Sequence, residues 1–113
     1  MSDDSFPIIK LAAATLQRAI ADGANQIRLR PTERSTSIHF LAGSDWKHVM
    51  TVPRNITSPY LDRFRHLAQG DEDMPAGCFR FSDHGRTYEV SVTEAVEPVE
   101  MTLLIKDLPR LEA

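Results

Sequence analysis

Cysteine is nearly missing from this sequence: among 113 residues there is one, Cys78. A single thiol closes no internal disulfide. With four histidines scattered at positions 39, 48, 66 and 84, it offers no paired-ligand spacing for a metal. No metal site is expected, and Cys78 reads as a small strand residue near the core. Long apolar runs are lacking too. The longest such stretch, residues 8–20, is broken by Lys10, Gln17 and Arg18, and no basic start with a small-residue cleavage site precedes it. The expectation is a soluble, unexported protein in a reducing cytoplasm. Five glycines and seven prolines are too few for a collagen-like or low-complexity chain. No glycine-rich loop leads into Lys and Ser or Thr, so ATP hydrolysis by this polypeptide alone is not expected. Nor does any serine sit in a Gly-x-Ser-x-Gly elbow. Glu89 and Glu94 have no identifiable catalytic partner in the sequence and read as surface charges. No cofactor and no enzymatic activity are anticipated. A formal net charge of -3 disfavours nucleic acid and anionic membranes as partners unless a local basic patch overrides the average.

What is present suits one folded unit. Hydrophobic residues make up 42% of the chain and charged ones 26%, ordinary values for a globular domain. Residues 1–5 are polar and acidic and read as a frayed end; residues 6–106 read as a single domain and 107–113 as a flexible tail. From Pro7, apolar residues recur at Ile9, Ala12 or Ala13, Leu16 and Ile20, the spacing of an amphipathic helix that stops at Gly23. The period then changes to two. Ile27 and Leu29 alternate with Arg28 and Arg30 until Pro31; Ile38 and Phe40 flank His39; a third strand covers 46–52 and ends at Pro53. Thr57-Ser58-Pro59 reads as the entrance to a second helix with Tyr60, Leu61, Phe64, Leu67 and Ala68 on one face. The run Gly70-Asp71-Glu72-Asp73-Met74-Pro75 reads as a solvated connector. Phe79 and Phe81, the turn pair His84-Gly85, and Tyr88, Val90 and Val92 form a second hairpin. A last strand over 99–106, with Glu94, Glu97 and Glu100 nearby, is expected at a sheet edge. The order is helix, meander, helix, meander: an α+β two-layer sandwich with a largely antiparallel sheet.

The sharpest local feature is basic. Arg28 and Arg30 project from one side of their strand, opposite Ile27 and Leu29, and guanidinium groups suit phosphates and carboxylates. With Arg34, and with Arg80 if its strand lies nearby, they form the candidate anion- or partner-binding set.

The run Ala24-Asn25-Gln26-Ile27-Arg28-Leu29-Arg30-Pro31-Thr32-Glu33-Arg34, followed by Ile38-His39-Phe40, resembles the N-terminal domain of the GspE/PilB ATPases of type II secretion and type IV pilus assembly. There the two strands read Ala-Ser-Asp-Ile-His-Ile-Glu-Pro and Val-Arg-Phe-Arg-Val-Asp-Gly; Ala24, Ile27, Pro31, Ile38 and Phe40 keep that framework. Leu61, Arg63, Phe64, Arg65 and Ala68 look like its second helix, Pro75-Ala76-Gly77 like a shortened turn, and Val90-Ser91-Val92 like its late strand. The resemblance runs from about residue 6 to 106. It implies a bacterial, cytoplasmic domain relative without the motor domain, acting by protein-protein contacts, with a secretion or pilus component as the candidate partner. In the family, arginines of the second and late strands help contact nucleotide. The aligned residues here are His39, Leu41 and Glu89, so those contacts do not carry over. The expectation is a non-catalytic adaptor or regulatory domain. The alternative is a regulatory module that binds a nucleotide or another anion on the arginine-lined face.

Overall fold

The computed structural model describes residues 5–70 and 76–108. Helix α1 spans Ser5–Ala21, followed by strands β1 (Gln26–Pro31), β2 (Ser35–Ala42) and β3 (Asp45–Pro53). Helix α2 spans Arg54–Leu67, and strands β4 (Cys78–Asp83), β5 (Arg86–Val96) and β6 (Val99–Asp107) follow it. All strands join one sheet in the order β3-β2-β1-β6-β5-β4, and every pairing is antiparallel. The expected α+β class is therefore observed.

Local chemistry sets the elements. α1 ends as a glycine stop should: Gly23 takes φ 76°, its N–H donates to Ile20, and the Ala24 N–H donates to Ala19, closing the last turn. Two-residue turns fix the hairpin registers. Gly43-Ser44 joins β2 to β3, and His84-Gly85, both at positive φ, joins β4 to β5. Alternate residues of every strand then face the helices. Ile27, Leu29, Ile38, Phe40, Val52, Phe79, Val90, Met101 and Leu103 are buried there against Ala12, Leu16 and Ala19 of α1 and Tyr60, Leu61 and Phe64 of α2. Burying a side chain the size of Ile27 contributes about 2–3 kcal/mol. Two polar pairs complete this interior. The Thr15 and Tyr60 hydroxyls meet at 2.8 Å between the helices, and those of Thr36 and Thr57 meet at 2.7 Å between β2 and α2. Burial of the Tyr60 phenol pushes its pKa up to about 12.

The structure corrects the sequence reading in several places. β6 is not an edge strand; it lies at the centre, between β1 and β5. Its acidic neighbour Glu100 is neutralised by arginines of β1, and Met101 and Leu103 are buried in the core. α2 begins at Arg54, directly after Pro53, so Pro59 lies inside the helix instead of opening it. Pro53 has the extended backbone of an N-cap but gives no side-chain cap, which is why the sequence signal pointed later. α1 includes Ser5, and β6 continues through Asp107. Most of the expected frayed start (1–4), the acidic run (71–75) and most of the tail (109–113) lie outside the described residues.

Candidate functional site on the open face of the sheet

The helices lie on one side of the sheet, which leaves the other residues of each strand on an open face. Strand register places them in rows. On β1, Arg28 stands opposite His39 of β2 and Thr102 of β6, while Gln26 stands opposite Leu41 and Leu104. The β2–β3 register extends those rows to His48 and Trp46. Trp46, Leu41, His39, His48, Arg28 and Arg30 thus gather on the first meander.

Their chemistry is mutual. The Arg28 guanidinium carbon sits 3.9 Å from the centroid of the Trp46 ring, a cation–π contact worth about 0.5–1 kcal/mol at a partly exposed site. Glu100, arriving on β6, lies between two arginines: Oε1 accepts from Arg30 Nε at 3.2 Å, and Oε2 lies 2.8 Å from Arg28 Nε. The second contact is Coulombic only. The Arg28 Nε–H is not aimed at the carboxylate, and that nitrogen is buried with no hydrogen-bond partner. His39 and His48 stack edge-on with ring centroids 5.2 Å apart, and His48 Nε2 meets the Thr51 hydroxyl at 2.9 Å. His39 Nδ1 is buried without a partner. Its pKa is lowered, first by burial, then by the charges of His48, Arg30 and Arg28, so the ring favours the neutral form.

Of the four arginines proposed from sequence, the structure brings together two. Arg28 and Arg30 share the Glu100 carboxylate. Arg34 stands apart, exposed in the β1–β2 turn that the Thr32 hydroxyl organises. Arg80 is on β4, three strands from β1 and hence about 14 Å away across the sheet. Its register partner is Glu89. Glu94, read as a lone surface charge, in fact receives both Nε and a terminal nitrogen of Arg65 on α2, each at 2.8 Å. That pairing holds its carboxyl below the usual range.

The sequence reading missed Trp46 and the histidine pair. A signal existed. With a two-residue turn at 43–44, positions 39 and 48, and 41 and 46, stand opposite one another, so two of the scattered histidines form a cross-strand pair.

No protein-family model matches the chain. A curated relative does. The chain is similar to the Type II secretion system ATPase E of Vibrio cholerae. The two are 32% identical over 98% of this chain, which spans 24% of the length of that ATPase. The similarity therefore concerns a portion of a secretion ATPase. Among the described residues, no helix is long and apolar enough to cross a membrane.

Proposed function

We propose that this chain is a non-catalytic adaptor or regulatory domain of the kind found at the N-terminal side of secretion and pilus-assembly ATPases, working by protein-protein contacts in a cytoplasmic assembly. Similarity to the secretion ATPase supports the setting. The observation that carries the mode of action is the internal balance of the open face. Arg28 and Arg30 are already engaged by Glu100, and Arg28 by Trp46. Such a surface is preorganised and partly neutralised: an aromatic anchor, two arginines and apolar Leu41 and Leu104 alongside, the composition of a protein interface. A tagged chain is used to capture the secretion or pilus apparatus from its host, beside a Trp46→Ala variant. Recovery of an identified apparatus component, lost in the variant, supports the reading; equal recovery by both removes this face from it.

A second reading, an anion- or nucleotide-binding module, is favoured by one observation. Arg28 Nε and His39 Nδ1 are buried polar atoms with no hydrogen-bond partner in the protein, and a ligand oxygen would satisfy them. Inorganic phosphate titrated against the chain and a Glu100→Gln variant decides the matter. Saturable binding that tightens in the variant supports an anion site, and binding that fades uniformly with salt contradicts it.

A further inference from the structure

A different surface carries a further inference. At the outer flank of the first meander a groove of about 410 Å³ runs between the last turn of α1 and the β2–β3 hairpin. Phe40, Ala42 and Val49 give it an apolar floor; Arg18 and Lys47 supply its charged rim, with Asp22. It exists because two helices, about 10 Å wide each, do not cover six strands spaced about 4.8 Å apart. The strand beside the groove, β3, ends the sheet and pairs only with β2. Among the described residues, the outer backbone edge of its nine residues has no strand partner.

Two features narrow what such an edge accepts. The register between β2 and β3 shifts after Ile38, leaving Val49 as an extra residue, so the edge is bent and Lys47 is presented on the helix side just before the bend. A lysine and a bulge on an edge strand act against indiscriminate pairing with like strands. They do not act against an acidic one. Among the described residues that line the groove, Asp22 is the one carboxylate and already faces Arg18 at 3.7 Å, so none of those residues sets a carboxylate across the groove from Lys47.

We propose that β3 is a strand-addition site for an extended segment of a partner protein whose residues alternate between apolar and acidic. The segment's backbone continues the sheet beyond β3, its apolar side chains enter the groove over Phe40 and Val49, and its carboxylates meet Lys47 and Arg18. The proposal shares with the preceding section the view that this chain works by protein contacts, but it uses a separate surface. Loss of the Trp46 face as an interface leaves it standing.

The test uses a library of ten-residue peptides with Val, Ile or Phe at alternate positions and Glu or Asp between them, and a charge-inverted library with Lys or Arg in the acidic places. Backbone amide shifts and hydrogen exchange are followed on the whole chain. The expected result is binding of acidic members only, with new exchange protection confined to β3 amides and affinity weakened roughly tenfold by Lys47→Glu. Lys47 is exposed, so that variant folds. Absence of binding by the acidic library, equal binding of both libraries, or protection appearing on β4 instead overturns the proposal. So does concentration-dependent protection of β3 without peptide, which makes the occupant a second copy of the chain.

Discussion

The two meanders are built alike and charged oppositely. Each has three antiparallel strands, a tight two-residue turn and an apolar face toward the helices. Yet residues 24–54 carry five Arg or Lys and two Asp or Glu, while residues 76–108 carry three and six. The shared plan comes from positions whose chemistry the core dictates, Ile27 and Phe40 in one half and Val90 and Leu103 in the other. The difference lies on the faces the core does not constrain. It is also used structurally. The halves meet where β1 pairs with β6, and there an acidic residue of the second half, Glu100, is held between two arginines of the first.

The largest effect is expected at that seam from the core side. Ile27 is fully buried opposite Leu103, so Ile27→Asp places an unpaired carboxylate between the halves and costs about 4 kcal/mol or prevents folding. Urea unfolding measures it, and a cost below 1 kcal/mol would disprove the register. Next comes the charged side of the seam. Reversing Arg28 and Arg30 to Glu sets three carboxylates together, and a loss of about 2 kcal/mol is expected, largely restored by adding Glu100→Arg. The Glu100 carboxylate, held between the two arginines, is the source of that cost. The matching reversal in the other half, Arg80→Glu, lies on an exposed edge strand and is expected to cost well under about 1 kcal/mol.

Smaller effects separate the halves by pH. Arg65→Ala removes the bidentate pair that ties α2 to β5 and costs about 0.5–1 kcal/mol at neutral pH and low salt. Because Arg65 depresses the Glu94 pKa, this contribution is present above the ordinary carboxylate value and is lost as pH falls through the lowered one. The gap between parent and variant therefore closes in acid. In the first half the corresponding group is His39, whose pKa is also lowered. Its neutral form is favoured on folding, so the stability tied to it is complete above about pH 6.5 and declines as pH falls through the lowered value. His39→Gln is expected to remove that decline while leaving the carboxylate-range decline unchanged. Unfolding curves between pH 3 and 8 check both variants, and a decline near pH 6 that survives His39→Gln would contradict the assignment.

Much of this was legible in the sequence because the rules involved are local. Period-two alternation at Ile27 and Leu29, Gly23 as a helix stop and His84-Gly85 as a turn each act over a few residues, and the structure keeps them. Strand order is another matter. Nothing local tells β6 that it will sit between β1 and β5, and its flanking glutamates, read alone, resemble an edge. The site failed in the same way. Arg28 and Arg30 share a strand and were found together, whereas Arg80 was separated from them by topology. Trp46 and the histidine pair required the β2–β3 register to be carried through to its consequences.

The proposed function puts the contacts to a secretion assembly on the first meander and not on the second. Photo-crosslinking in the native host, with a reactive residue placed at Trp46 in one strain and at Thr93 on the same sheet face in another, tests it most directly. The account predicts that position 46 crosslinks to an identified component of a secretion or pilus apparatus and that position 93 does not. Crosslinks to such a component from position 93 alone, or none from either, would contradict it.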